Sequence, residues 1–494
     1  MSFRRFFTRK PMKELMDEVK NSHDLTRTLG PIQLIFLGIG AIIGAGIFVL
    51  VGPAAALHAG PAITIALALC GIACACAGLC YAELSSTIPI SGGPYTYVYA
   101  ALGEVFAWFV VAMMLLTYML GAATVATGWS GYFLSFLQGY GIHFPVQLSH
   151  HYGYLATMPD GSVVSCLFDL PAFLIVALMT SIVYFGANTS AIVNTIIVMI
   201  KMSVIVAFIF IGAMYIDPEN WVPFIPPNEG TFGEFGFSGI ISAAGIVFLA
   251  FTGFDAVATA AQECKKPQRD LPIGILGSLL ICTVIYITVS AVLTGVANYT
   301  ELGVAEPMAV AVDKMKLPWF SILIKIGAIA GLTSVILVLT YGIVRVLYTA
   351  THDGLLPIKL AAIHKKYHTP YVITIIVGLL VAIMSSVLPV DKLAKLANLG
   401  TLSTFVMVCI AVLFLRYKEP NVKRGFYCPL VPWIPLFGIA LFIIIICGLP
   451  YEIMLYGVIW VVFMLSIYFS YGQYHSLLQK EIKTGIVHES SIVE

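Results

Sequence analysis

Apolar residues run along this chain in long stretches, and polar residues gather in the short segments between them. A helix that crosses a bilayer needs about 20 mainly apolar residues, because its backbone polar groups must be satisfied internally. Cut at Gly-, Pro- and Asn-rich loops, the pattern predicts twelve spans. They lie near 32–56, 61–86, 96–134, 168–187, 191–216, 237–262, 273–297, 319–349, 371–388, 395–415, 432–449 and 453–472. The third and eighth exceed one bilayer thickness and are expected to tilt or project beyond it. The chain reads as an all-α polytopic membrane protein.

Charge gives the direction of threading, since cytoplasmic loops carry an excess of Lys and Arg. With the N-terminus inside, twenty of the 26 Lys and Arg fall on the cytoplasmic side. Four fall outside, at Lys314, Lys316, Lys392 and Lys395, while Lys201 and Lys325 lie within spans. Both termini are therefore expected in the cytoplasm, with the protein in the cell (plasma or inner) membrane. The first thirty residues are polar and basic and lack the apolar core of a secretory signal.

Two spans are poorly built as continuous helices. The first reads Gly38-Ile39-Gly40-Ala41-Ile42-Ile43-Gly44-Ala45-Gly46-Ile47-Phe48, four glycines in nine residues, each costing about 1 kcal/mol relative to Ala in a helix. Taken alone, such spacing equally suits close helix packing. The sixth reads Phe248-Leu249-Ala250-Phe251-Thr252-Gly253-Phe254-Asp255, with a glycine and a carboxylate at mid-span. First and sixth are matching places in two five-helix halves, and paired interruptions of that kind point to a transporter site. An odd number of spans per half makes the repeats inverted. The expected organisation is a tail at 1–30, repeats at 31–216 and 237–416 separated by an extracellular loop at 217–236, two added helices at 417–472, and a tail at 473–494.

The chemistry follows from the breaks. An unwound segment leaves N–H and C=O groups without intrahelical partners where water cannot reach them. A zwitterionic amino acid supplies both complements, its carboxylate to the N–H groups and its ammonium to the carbonyls.

Charged residues inside spans sharpen this picture. Lys201 is surrounded by Ile, Val and Met, and central placement of a charge costs about 2.5–3.5 kcal/mol, so it should face protein or a water-filled cavity. Snorkelling to an interface is the alternative. A poorly hydrated ammonium can release its proton, and it can also stand where a sodium ion would meet helix carbonyls; Lys201 is the candidate proton carrier. Asp255 follows the second break, either capping the next half-helix or binding substrate or proton. Lys325 is expected to snorkel outward. Glu83 and Glu104 flank the loop 89–94 and are candidates for gating or folding. His150 and His151 read as solvated loop residues.

Composition excludes the main rivals. Only 10% of residues are charged and mean hydropathy is +0.96, against about 25% charged in soluble domains. A net charge of +1 argues for no nucleic-acid partner. The ten cysteines read as small apolar residues rather than a metal cluster. No metal or other cofactor is expected, and oligomeric state stays open. The spans hold no clustered acids or histidines for an enzyme, and no ring of polar residues for a channel.

These residues resemble the amino acid–polyamine–organocation superfamily, nearest its bacterial permeases of the cationic amino acid transporter type. The resemblance runs from Leu29 to about Gly472. Besides the two interrupted segments it rests on Tyr81-Ala82-Glu83 leading to Tyr95-Thr96-Tyr97, Gly128-Trp129-Ser130-Gly131-Tyr132, Pro267-Gln268-Arg269-Asp270-Leu271-Pro272-Ile273-Gly274 and Asp353-Gly354-Leu355-Leu356-Pro357. It implies a LeuT-type fold of five plus five helices with two added. It implies a substrate carboxylate at Gly44, Ala45 and Gly46, and an ammonium near Ile42 and across Leu249, Ala250, Phe251, Thr252 and Gly253. Lys201 matches the lysine that proton-coupled relatives carry at the sodium position. Two departures stand out: Thr117 where relatives often have a glutamate, and Gln262-Glu263 where many have paired acids. Without the acid at 117 a basic side chain loses a partner, so neutral L-amino acids such as alanine stand at least level with cationic ones. The expected activity is L-amino acid import by proton symport, with exchange or sodium coupling as alternatives.

Overall fold

The computed structural model describes residue 9 and residues 29–89, 93–157, 163–186, 191–259, 261, 264–367 and 369–483. The loop residues Ile90, Ser91 and Gly92, the pair Gln262-Glu263, and six of the seven basic residues of the N-terminal tail lie outside these. Helices dominate: α1 (Pro31–Ile42), α2 (Ile63–Thr87), α3 (Gly93–Leu102), α4 (Glu104–Gly139), α5 (Leu170–Phe185), α6 (Ala191–Gly212), α7 (Gly236–Val247) and α8 (Asp255–Thr259). The second half continues with α9 (Pro267–Val296), α10 (Pro307–Lys314), α11 (Pro318–His352), α12 (Tyr371–Val387), α13 (Val390–Lys418), α14 (Trp433–Cys447), α15 (Tyr451–Ile467) and α16 (Leu477–Lys483). One antiparallel hairpin, Leu155–Thr157 with Val163–Ser165, sits in the loop after α4.

Among the described residues seven helical stretches are long and apolar enough to cross a membrane, and one of them, Pro31–Thr87, holds two expected spans. Four shorter apolar helices complete the twelve. The outside of the bundle is apolar: Leu455, Val458, Ile459, Val462 and Phe463 on α15 and Ile375, Ile376, Leu379 and Leu380 on α12 are all exposed. Such a continuous exposed apolar surface suits lipid and not water.

The third expected span needs a correction. It is divided at Gly103, whose φ of 102° only glycine adopts without strain, so α3 is a separate short helix and the span begins at Glu104. Spans five places apart face one another: α2 against α9, α4 against α11, and α5 against α12. The C-terminal segment is also docked, through Ser476 Oγ donating to Glu104 Oε2 (2.6 Å) and Leu477 N to Asp353 O (3.0 Å).

Lys325 is held by a partner on the neighbouring helix. Its ammonium lies 3.2 Å from Asp313 of α10, and the residue is buried. At the other end of α10, Glu306 wedges against helix α4; a Cβ on Gly131 would lie 2.6 Å from its Oε2. Burial pushes the Glu306 carboxyl up to about 7, opposed by Lys325 and reinforced by Asp313. A carboxyl with a raised value favours the protonated fold, so this stability is present below the ordinary carboxyl range and is lost as pH rises toward about 7. Glu306→Gln should therefore flatten the fall in unfolding temperature over that window; an unaltered slope would remove Glu306 from the account.

Candidate functional site

Both interruptions form, and they touch. α1 ends at Ile42, and Ile43 takes extended angles (φ −74°, ψ 105°). Helical geometry resumes in a π-helical turn, Gly46–Leu50. The start of this second half-helix has N–H groups with no intrahelical acceptor, and Gly44, Ala45 and Gly46 supply them. In the sixth span, α7 tightens into a 3₁₀ turn, Phe248–Phe251, before Thr252 extends (φ −65°, ψ 135°). Gly253 then turns at φ 122°. A Cβ on Gly46 would lie 2.1 Å from Ala250 Cα, and one on Gly253 would lie 2.6 Å from Ala41 O. Glycine at these two positions is what lets the broken segments meet backbone to backbone.

The carbonyls freed by the breaks are met by three side chains. Lys201 on α6 is buried, and its Nζ donates to Gly40 O (2.5 Å) and Ile43 O (2.7 Å). Its stem runs past Gly331 of α11. Tyr286 on α9 places its hydroxyl 2.9 Å from both Ile42 O and Ala250 O, so one phenol bridges the two breaks. Asn398 on α13 donates from Nδ2 to Gly245 O and Ile246 O, both at 2.7 Å. Two carbonyls expected to face a substrate ammonium, Ile42 and Ala250, thus accept from Tyr286 in this conformation.

The other candidates divide by location. Asp255 is the first residue of α8, and its Oδ2 accepts from Tyr118 of α4 at 3.1 Å. Thr117, one residue earlier, belongs to a row of hydroxyls: Thr401 Oγ1 lies 3.3 Å from Thr117 Oγ1 and 3.4 Å from Thr252 Oγ1. Leu249 and Phe251 are buried beside them. Glu83 and Glu104 are far from the breaks in role. Glu83 is held by Arg416 through two bonds (2.8 and 2.7 Å), by Cys428 N (2.8 Å) and by Arg424 (3.1 Å), tying α2 to α13 and the loop after it. Glu104 accepts from Tyr99 (3.0 Å), Tyr468 (2.9 Å) and Ser476 (2.6 Å).

Tyr286 and Asn398 escaped the sequence reading. The available signal was a phenol and an amide placed within largely apolar helices, where each needs a partner because water is absent. Removing the Tyr286 hydroxyl leaves a buried acceptor unmet, at a cost of about 1–3 kcal/mol. Tyr286→Phe should accordingly lower the unfolding temperature of the ligand-free protein, and an unchanged midpoint would show the bridge to be idle.

A multi-pass helical bundle with two touching helix breaks at its centre is the architecture of a transporter. The chain belongs to the amino acid permease family, whose sequence profile matches residues 29–470. It is similar to the branched-chain amino acid permease BcaP of Bacillus subtilis (strain 168), with 44% identity over 96% of this chain and 99% of the relative. The methylthioribose transporter of the same organism is 41% identical over 96% of this chain and 99% of that protein. Human cationic amino acid transporter 4 is 32% identical, covering 83% of this chain and 63% of that protein. The protein is a membrane transporter and not an enzyme.

Proposed function

We propose that this permease imports neutral L-amino acids with branched aliphatic side chains, by proton symport. The observation that carries the coupling is the Lys201 ammonium seated on Gly40 O and Ile43 O beside the first break. A cation held by carbonyls at a helix break fixes that break. When the amine gives up its proton it loses charge and one donor, and its hold on the carbonyls weakens. Proton occupancy and the shape of the first break are thereby linked.

Substrate would lie along the breaks, its carboxylate on the Gly44, Ala45 and Gly46 N–H groups and its ammonium on carbonyls of the 249–252 turn and Ile42. The latter acceptor becomes open as Tyr286 yields it. An aliphatic side chain suits the neighbouring surface, where Leu249 and Leu339 approach Gly121 and Val335 lies over Gly44. Thr117 offers a cationic side chain no counter-charge. The similarity to BcaP supports the same substrate class.

The test is uptake of labelled L-leucine, L-alanine and L-arginine into proteoliposomes with and without an inward proton gradient. Accumulation of leucine that follows the gradient is expected; dependence on sodium at constant pH would overturn the coupling. The hydroxyl row of Thr117, Thr401 and Thr252 favours a second reading, a polyhydroxylated substrate of the kind named for the methylthioribose transporter. Strong inhibition of leucine uptake by methylthioribose would favour it.

A further inference from the structure

The first break is capped from the fifth span by Lys201, and the second from the tenth span by Asn398. The same place in each half thus supplies the donor for that half's broken helix. Asn398 is fully buried. Gly245 and Ile246, whose carbonyls it meets, are among the last four residues of α7, whose C=O groups lose their intrahelical partners as the helix ends. An amide N–H2 has two hydrogens, one for each of these carbonyls.

We propose that Asn398 is the positioning residue of the second break: by holding the end of α7 it sets the direction in which the carbonyls of the 249–252 turn face, and so tunes affinity for the substrate ammonium. This rests on the amino-acid reading of the site given above. Asn398 touches no expected substrate atom and acts through the backbone one turn away. Its Oδ1 is buried with no hydrogen-bond partner among the described residues. Leaving an acceptor unmet is a cost, and it marks a side chain held in place by what its donors do. The donors add a polar tie across helices to the Thr401–Thr252 and Phe405–Phe248 contacts through which α13 also meets this turn.

The test compares Asn398→Asp, which keeps size and removes both donors, with Asn398→Ser, which keeps one. L-leucine affinity is measured on the purified full-length protein, beside its unfolding temperature and the midpoint of its pH profile. Asn398→Asp should bind about tenfold more weakly, and Asn398→Ser by an intermediate factor, with the pH midpoint unmoved because Lys201 is intact. At pH values low enough to protonate the new carboxyl, its O–H restores one donor and the Asn398→Asp deficit should shrink. Wild-type affinity in Asn398→Ser with only a lowered unfolding temperature would overturn the proposal and leave a structural cap. Should Asn398→Asp fail to fold, the Ser variant alone decides. Failure of the wild type to bind any neutral amino acid would instead overturn the substrate reading.

Discussion

Lys201→Met should reduce gradient-driven accumulation to the level of protein-free liposomes while the variant still folds and inserts. Methionine is close to lysine in length and apolar, so packing against Gly331 is preserved. Two opposing changes in stability accompany it. The Gly40 and Ile43 carbonyls lose bonds to a charged donor, each contributing about 1.5–3 kcal/mol. The membrane-centre charge, which costs about 2.5–3.5 kcal/mol to place, disappears as well. The second offsets much of the first, so the expected loss is mainly of coupling, with a modest fall in stability. Accumulation measured under an imposed pH difference, with leucine counterflow as a control for intact binding, separates these. Normal accumulation in the variant would remove Lys201 from the mechanism.

The second large effect is expected at Gly46. A Cβ there would sit 2.1 Å from Ala250 Cα and 3.0 Å from Ala250 N, and no rotation of a side chain relieves a contact with backbone. Gly46→Ala must part the two broken segments. Overpacking of this kind costs about 1–3 kcal/mol; borne by the substrate-bound arrangement of the breaks, it corresponds to roughly a five- to hundredfold loss of leucine affinity. Gly342→Ala is the control, because its Cβ would meet only Tyr118 Cε2 at an ordinary 3.9 Å. Equal affinity in the two variants would move the substrate away from the meeting point of the breaks.

The sequence made the scaffold readable because the bilayer allows few alternatives. Twelve apolar stretches can only be helices, and four glycines in the first span together with Phe251-Thr252-Gly253 in the sixth announce where helix geometry fails. The limits are equally physical. Gly103 is invisible as a divider because Ala101 and Leu102 before it and Glu104 after it are all good helix formers, and only its positive φ separates α3 from α4. The partner of Lys325 is hidden from the sequence because Asp313 is twelve residues away and belongs to a different helix. Tyr286 and Asn398 pass for ordinary polar exceptions in a sequence; their meaning depends on which carbonyls a distant part of the chain leaves open. Hydropathy predicts where a helix runs, but not which neighbour completes its hydrogen bonds.

The Tyr286 phenol has one hydrogen to share between two carbonyls. A carrier whose central acceptors are bare when unloaded would face a steep barrier to turning over without cargo, and would tend to move only full, trading one solute for another. On the proposed reading of the site, this resident hydroxyl would hold those acceptors and give way to an arriving ammonium. A carrier built this way would close on itself between loads, and symport, as proposed above, would need no second passenger on its return leg.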